Sequence, residues 1–412
     1  MTPPELMLER ALGNPPFPWQ RRLLRTLIEG SLPDALDIPT GLGKTATIAI
    51  WLVARACGAS HLPRRLVYIV DRRAVVDQAT TEAERLRAWV ATDRSVREAL
   101  GLENDLPVST LRGAFVDNRA WLVDPSAPAI VVGTVDMVGS RLLFEGYGAS
   151  RRMRPYFAGA LGHDTLFVLD EAHLVPPFEH LLRQVTTWPR TADAGVLPPP
   201  RLLPLSATGR SYEDPFRLDG DDLAHPEVSK RIHAPKRVTI ETLTASLPDT
   251  LAERAWETAE SAGSPRRVLV FVTKRIDAQA AATALEKRIA KERPAGSRPT
   301  VVLFVGGRRV HERTSAFDEL ASVGFLAGSS PPSDHAFLVA TSAGEVGVDL
   351  DADDMVSDVV AWERMVQRLG RVNRRGRGGL RATRVRAAQE RGPRSSGRPL
   401  PGPPRETARS RR

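Results

Sequence analysis

Short apolar runs alternate with amphipathic stretches along the first half of the chain. Each run predicts a buried parallel strand, because a strand covered on both faces is apolar throughout. The stretches between them space their apolar residues as a helix does, over residues 45–56 and 75–90. The predicted strands cover residues 35–38, 66–70, 129–132, 166–169 and 201–205. Strands that alternate with helices predict an α/β fold with a doubly wound parallel sheet.

A second alternation begins near residue 236. Strands are predicted at 268–272, 301–305, 335–340 and 358–361, with helices at 277–289 and from 365 onward. We therefore expect two tandem α/β units, residues 1–210 and 236–375, and expect the second of them to be incomplete. The stretch between them, 211–235, is polar and rich in Asp and Pro, and predicts a linker.

The end of the chain differs from both units. Gly, Pro, Arg and Ser dominate residues 376–412, which cannot bury enough apolar surface to offset the entropy of ordering, so a disordered tail is predicted. From Arg375 onward there are 12 Arg and 2 Glu. The net charge of this segment, 12 − 2 = +10, exceeds the net charge of +9 of the whole chain. The basic charge therefore belongs to the tail and says nothing about the folded part. A solvated tail is favoured over an arm that binds nucleic acid.

Composition narrows the class of protein further. The chain is 42% hydrophobic and 26% charged, as a soluble globular protein is. Its longest apolar runs fall short of the about 20 residues that a membrane helix needs, and the first ten residues do not form a secretory signal. A single cysteine, Cys57, excludes an intrachain disulfide. A cytoplasmic protein without a membrane partner is predicted.

A phosphate-binding loop is predicted between the first strand and the first long helix. Gly41 and Gly43 allow backbone N–H groups to approach phosphates, and a helix N-terminus favours anions. Lys44 is expected to reach the β- and γ-phosphates and Thr45 to bind Mg²⁺. Ile38 stands where the strict P-loop pattern has glycine, which matches the Pro-Thr-Gly-x-Gly-Lys-Thr form of helicases.

Two carboxylates follow the buried run at 166–169. Asp170 and Glu171 open the tetrapeptide Asp-Glu-Ala-His, at the carboxyl end of a predicted parallel strand. Ligands of open α/β sheets bind at that end. One carboxylate can hold Mg²⁺ while its neighbour orients a water for attack on a phosphate.

Arginines in the second unit complete the pattern. Arg371 and Arg374 lie three residues apart in the segment 367–374 and would share one side of a helix. Two guanidinium groups on a second unit can reach a γ-phosphate across a cleft. The loop at 340–349 is rich in Gly and small residues, which suits packing on both ATP and a nucleic-acid backbone, although a plain strand-to-helix turn has the same composition.

Taken together, these segments resemble superfamily 2 helicases of the DEAD/DEAH type. The matches run from Phe17 to Arg374. Phe-Pro-Trp-Gln at 17–20 resembles the adenine-reading glutamine motif, and Ser-Ala-Thr at 206–208 resembles the helicase linkage motif. Within that superfamily the segments 68–73, 109–113 and 133–136 resemble the CRISPR-associated helicase–nuclease of type I systems. The segment 305–313 is similar to the subtype whose nuclease follows the helicase.

The resemblance implies two RecA-like domains with ATP and Mg²⁺ between them, and a role for each matching residue. Gln20 would recognise adenine, and Asp170 would bind Mg²⁺ with Thr45. Glu171 would be the general base, with Arg371 and Arg374 as arginine fingers. The remaining implied roles are nucleotide contacts by Thr40, Gly41, Gly43, Lys44 and Asp349, DNA-backbone contacts by Arg72, Arg112, Thr134 and Thr341, and coupling by Ser206 and Thr208.

The implied function is ATP-dependent movement along single-stranded DNA, with recruitment to an RNA-guided surveillance complex. The family's His-Asp metal nuclease has no room before Phe17, and the expected final strand and accessory domain after Arg374 appear absent from the sequence. We therefore expect a truncated or helicase-only form, with the nuclease encoded separately. Two alternatives remain: another superfamily 2 RNA helicase or translocase, and an inactive remnant that only binds nucleotide or DNA.

Overall fold

Two parallel sheets flanked by helices build the part of the chain that the structure describes. A computed structural model describes residues 2–71, 73–111, 119–188, 198–206, 212–243, 245–306, 318–326, 329, 333–345, 348–376 and 383–389. All strand pairs in both sheets are parallel. This is the fold of tandem RecA-like domains that the sequence predicted.

The first sheet has the strand order β3-β4-β2-β5-β6-β1-β7. Its strands are β1 (Ala35–Asp37), β2 (Arg65–Val70), β3 (Val108–Leu111), β4 (Ala129–Thr134), β5 (Thr165–Leu169), β6 (Arg201–Ser206) and β7 (Pro215–Arg217). The central strands β2, β4 and β5 are buried at every position, which is why their sequences are almost continuously apolar.

Helices of the first unit pack on the two faces of that sheet. They are α1 (Pro4–Leu12), α2 (Pro18–Ile28), α3 (Thr47–Ala56), α4 (Arg73–Thr92), α5 (Arg94–Ala99), α6 (Ala120–Val123), α7 (Val135–Leu142), α8 (Met153–Gly162), α9 (Pro176–Thr187), α10 (Gly220–Ala224) and α11 (Pro226–Ile232). One apolar core, which includes Trp19 and Trp51, lies between the sheet and α1 to α5. A second, around Trp121 and Phe157, lies on the opposite face.

The second sheet has the strand order β10-β11-β9-β12-β13-β8. Its strands are β8 (Lys236–Thr242), β9 (Arg267–Phe271), β10 (Thr300–Phe304), β11 (Ala336–Ala340), β12 (Asp354–Asp358) and β13 (Thr383–Gln389). Helices α12 (Leu247–Glu260) and α13 (Arg275–Glu292) cover one face, and α14 (Trp362–Leu369) begins beyond the carboxyl end of β12. No helix among the described residues is long and apolar enough to cross a membrane.

The predictions for the last strands and for the tail differ from the structure. Strand β13 lies at 383–389, inside the predicted disordered tail, and it supplies the last strand that was expected to be missing. The predicted strand at 358–361 is wrong: the strand is β12, which ends at Asp358, where the carboxylate accepts a hydrogen bond from the Thr273 backbone N–H (3.0 Å). Residues 390–412, the rest of the predicted tail, lie outside the described residues.

The predicted linker at 211–235 contains regular structure. Strand β7 pairs with β1 and so belongs to the first sheet, and α10 and α11 follow it. The Asp219 carboxylate caps α10 by accepting a hydrogen bond from the Asp222 N–H (3.0 Å). The Asp222 carboxylate accepts one from the Asp219 N–H (3.0 Å), which completes a capping box. Two of the Asp residues that suggested a linker therefore cap α10, and Pro226 stands in the first turn of α11.

Candidate nucleotide site between the two sheets

A cavity of about 580 Å³ lies at the carboxyl ends of β1 and β5, where the second unit meets the first. That size accommodates a nucleotide. The cavity is lined by both units: Gln20, Thr40, Gly41, Gly43, Lys44, Thr45, Glu82, Asp170, Glu171 and Arg231 from the first, and Asp349, Gln367, Arg371, Arg374 and Arg375 from the second. The predicted nucleotide-binding residues and the predicted arginine fingers thus line the same cavity.

The conformation of the loop after β1 depends on its glycines and on side chains that donate hydrogen bonds to its carbonyl groups. Gly41 and Gly43 adopt φ of 87° and 75°, in the left-handed region where glycine is favoured. Their carbonyls and that of Leu42 point outward to three donors: Arg231 Nη1 to Gly41 O (2.9 Å), Trp19 Nε1 to Leu42 O (3.2 Å) and Gln20 Nε2 to Gly43 O (3.5 Å). Carbonyls drawn outward leave the N–H groups for phosphates.

Gln20, which the sequence predicts to read adenine, lines the cavity. It is buried, and its Oε1 accepts from the Phe17 N–H (2.9 Å) at the start of α2. Its Nε2 faces the loop at Gly43, so a side chain at Gly43 would meet Gln20 at 3.3 Å. The side chain therefore joins α2 to the phosphate-binding loop.

Lys44 and Glu171 form a buried ion pair at the base of the cavity. Lys44 Nζ lies 3.0 Å from Glu171 Oε1. Glu171 has φ 49°, in the left-handed region, so its carboxylate turns away from the line of β5. In a nucleotide complex Lys44 would have to share its charge between Glu171 and phosphate.

The two adjacent carboxyl groups have opposite pKa shifts. Burial, together with the charge of Glu171, raises the pKa of Asp170 to about 6. Burial also opposes ionisation of Glu171, but Lys44, His173 and Arg371 outweigh it and hold the pKa of Glu171 below its usual value. Glu171 therefore ionises more readily than Asp170, and an ionised carboxylate is what a general base requires.

A magnesium site fits the residues beside Asp170. Thr45 and Asp170 line the same cavity, and the buried Tyr68 side chain lies close to both. Oxygen donors of this kind, completed by phosphates and waters, are what Mg²⁺ prefers. Among the described residues there is no cluster of three His, Cys, Asp or Glu that could hold a metal without a nucleotide.

Gln367 makes a direct contact between the units. Its Nε2 donates to Glu171 Oε2 (3.2 Å) and lies 3.5 Å from His173 Nε2. His173 Nδ1 in turn lies 3.5 Å from Glu171 Oε2. The position of Glu171 therefore depends on a residue of α14 in the second unit.

The two predicted fingers are placed differently. Arg374 lies over the phosphate-binding loop, with its Cγ 3.4 Å from where a Gly41 side chain would begin, and pairs with Asp349 (3.0 Å). Arg371 is buried within its own unit, donating to Glu345 O (2.8 and 2.9 Å) and Val348 O (2.7 Å). Burial and the charge of Arg374 lower the pKa of Arg371 to about 9.

Arg368 was missed by the sequence reasoning, because an arginine in a basic segment gives no sign of burial. It is fully buried and donates to Glu345 Oε1 (2.8 Å), Ser357 Oγ (2.7 Å) and Asp358 Oδ1 (2.6 Å). These contacts tie α14 to the loop after β11 and to the end of β12, and so fix the position from which Gln367 reaches Glu171.

Of the residues predicted to contact DNA or to couple the units, three are described by the structure and three are not. Thr134 ends β4 and caps α7 through Oγ1, which accepts from the Met137 N–H (3.3 Å). Thr341 follows β11 and is buried, and Ser206 ends β6, also buried. Arg72, Arg112 and Thr208 lie outside the described residues.

Comparison with known proteins gives the same two-part division. Residues 17–214 match the family model described as DEAD/DEAH box helicase, and residues 264–377 match the model described as CRISPR-associated nuclease/helicase Cas3, C-terminal. No curated protein sequence matches the chain.

Solved structures share the fold at low sequence identity. T. fusca Cas3 matches with 17% identity and a TM-score of 0.65, covering 94% of this chain and 48% of that one. M. smegmatis Lhr bound to ssDNA and AMP-PNP matches with 18% identity and a TM-score of 0.54, covering 91% and 46%. S. cerevisiae Dbp5 bound to RNA and ADP BeF3 matches with 14% identity and a TM-score of 0.57, covering 95% and 88%. The chain thus spans about half the length of the T. fusca and M. smegmatis proteins.

The first unit is therefore similar to DEAD/DEAH box helicases and the second unit to the C-terminal part of Cas3. The chain as a whole shares the fold of T. fusca Cas3. Both statements agree with the family that the sequence motifs resembled.

Proposed function

We propose that this chain is an ATP-driven motor that moves along single-stranded DNA in CRISPR type I interference. The observation that carries the proposal is the contact of Gln367 with Glu171, because it makes the hydrolytic carboxylate of one unit depend on the position of the other. A motor needs such a link between its chemical step and the movement of its parts. The two units are taken as 1–210 and 236–375, with β13 added to the second.

The proposed chemistry divides among residues of the first unit. Lys44 and the loop N–H groups bind the β- and γ-phosphates, and Gln20 reads the base. Thr45 and Asp170 hold Mg²⁺, which neutralises charge on the phosphates. Glu171, kept ionised by Lys44 and His173, accepts a proton from the attacking water.

Residues of the second unit respond to the γ-phosphate. Arg374, already over the phosphate-binding loop, is proposed as the finger that stabilises the transition state, in exchange for its ion pair with Asp349. Arg371 donates to the carbonyls of Glu345 and Val348 and would reach phosphate only if it released them. Closure on ATP and opening after hydrolysis would then move the two sheets against each other.

The proposed track is the backbone of a single strand. Contacts to backbone alone let a protein move along any sequence. Thr134 and Thr341 stand at the carboxyl ends of β4 and β11, and Arg72 and Arg112 complete the proposed set. The proposed partners are an RNA-guided surveillance complex and a separately encoded His-Asp nuclease.

Steady-state ATPase measurements with and without polymer test the proposal. Wild-type protein is expected to hydrolyse ATP faster with single-stranded DNA, whereas Lys44→Ala and Glu171→Gln should lose at least a hundredfold in rate. Glu179→Gln is the matched control, since Glu179 is equally buried in the first unit but pairs with Arg183 outside the cavity. Retained turnover in Glu171→Gln would contradict the assigned base.

An RNA track is the second candidate, because the fold also matches Dbp5 over most of both chains and that protein is bound to RNA. The same assay separates the candidates when single-stranded DNA and RNA of one sequence are compared. Greater stimulation by RNA would favour this second candidate.

A further inference from the structure

Arg231 lies in the nucleotide cavity without a role in the proposed chemistry. It belongs to α11, just before the chain enters the second sheet at β8. Its Nη1 donates to Gly41 O (2.9 Å), and its guanidinium carbon lies 5.2 Å from the centre of the Phe17 ring. The side chain therefore reaches from the phosphate-binding loop to the residue three positions before Gln20.

The charge of Arg231 is not matched by a contacting carboxylate. No acidic group within the described ranges forms an ion pair with it, and its Nε is buried without a hydrogen-bond partner. Burial lowers the pKa of Arg231, Glu227 and Asp349 oppose that shift without forming an ion pair, and Arg375 and Arg374 add to it. A half-buried cation kept beside two others indicates a ligand that is absent from the free protein.

The geometry also indicates which part of a nucleotide would meet it. Phe17 covers one side of the guanidinium, and the same α2 segment carries Gln20, which faces Gly43. A planar cation on an aromatic ring offers a flat surface, on which a second planar group can stack. The base of a nucleotide bound to the loop at 41–45 and read by Gln20 is such a group.

Arg231 is also attached to the second unit. The turn at Gly376 follows the Arg371–Arg374 segment and packs so closely on α11 that a side chain there would begin 2.5 Å from Lys230 O. Gly376 has φ 62°, which glycine adopts without strain. A contact with Arg231 would thus be transmitted to the segment that carries Arg374.

We propose that Arg231 is a further nucleotide-binding residue, which stacks on the base of ATP between Phe17 and the second unit. This inference rests on the proposed nucleotide site, but not on the nature of the track. It predicts a contact shared by ATP and ADP, since both carry the base, in contrast to Arg374, which would favour ATP.

Equilibrium titration of the full chain with ATP, ADP and inorganic triphosphate tests the inference. Arg231→Lys keeps the charge but removes the planar surface, and is expected to weaken ATP and ADP about tenfold alike while triphosphate binding is unchanged. Arg183→Lys is the matched control, because the Arg183 guanidinium also lies over an aromatic ring, that of Tyr212 (5.4 Å), but outside the cavity. It should leave the affinity for all three ligands close to that of wild type.

The outcomes separate the roles. Equal weakening of all three ligands by Arg231→Lys would overturn the inference, since Arg231 would then only position the loop through Gly41. Unchanged ATP and ADP binding would overturn it as well. If wild-type protein binds neither ATP nor triphosphate, the proposed nucleotide site itself fails, and the inference falls with it. In steady-state assays the expected change is a higher KM for ATP with little change in kcat.

Discussion

At the scale of single residues, the sequence predicts which side chains meet but not the state in which they meet. Asp170 and Glu171 are neighbours in a recognisable tetrapeptide, yet one pKa is raised to about 6 and the other lowered. The difference comes from Lys44 and His173 on one side and from burial on the other. Such an environment arises only when distant segments pack together, so no local pattern could have revealed it.

The raised pKa of Asp170 predicts how magnesium affinity depends on pH. As the pH falls through 6 the carboxyl gains a proton, which Mg²⁺ must displace. The magnesium-dependent gain in ATP affinity should therefore fall about tenfold for each pH unit below 6. Titrations with ATP at pH 7 and pH 5, with and without Mg²⁺, measure this gain. The Asp170→Asn variant is the control, because its pH response comes only from protonation of ATP itself. An equal pH response in the two proteins would count against Asp170 as a ligand.

The two fingers predicted as equivalent should behave differently. Arg374→Ala is expected to keep the unfolding temperature of wild type while lowering kcat by a factor of about 10³ or more. Arg371→Ala should lower the unfolding temperature too, because it leaves the buried carbonyls of Glu345 and Val348 without donors. Thermal unfolding and steady-state kinetics on both variants check this. A stable Arg371→Ala protein would refute the structural role assigned to that residue.

At the scale of elements, hydrophobic runs predicted the central strands well and the peripheral strands poorly. Strands β2, β4 and β5 are covered on both faces and are apolar throughout, so the pattern finds them to within two residues. Strand β8 is largely exposed and β7 has three residues, which leaves little apolar signal. The Arg-rich sequence of β13 resembles a solvated tail, and its place is set by pairing with β12 and β8.

Strand β13 therefore bears on the stability of the second sheet. It pairs with β12 on one side and with all seven residues of β8 on the other, so its removal would detach β8 from the sheet. Truncation after residue 382 is expected to abolish the cooperative unfolding transition of the second unit, since buried backbone groups lose their partners. Truncation after Gln389 is the control and should preserve that transition. Equivalent calorimetric traces for the two truncations would argue against this topology.

At the scale of the whole molecule, the site exists only where the two units meet. Gln367 reaches Glu171, Arg374 covers the loop at Gly41, and a side chain at Gly370 would begin 2.9 Å from Thr40 Oγ1. Spacing along the chain indicated that two arginines could face a phosphate across a cleft. Spacing could not indicate that α11, which was predicted to be part of a linker, supplies Arg231 to the same cavity. Contacts at a unit boundary depend on packing that spans nearly the whole chain.

These contacts make hydrolysis and the relative position of the two sheets interdependent, which is the central claim of the account. The most direct test is ATP-driven displacement of streptavidin from the end of biotinylated single-stranded DNA. Wild-type protein should displace streptavidin only with hydrolysable ATP, Glu179→Gln should match it, and Glu171→Gln should displace none although it still binds ATP and DNA. Displacement by Glu171→Gln at the wild-type rate, or ATP hydrolysis stimulated by DNA with no displacement at all, would contradict a motor powered from this cleft.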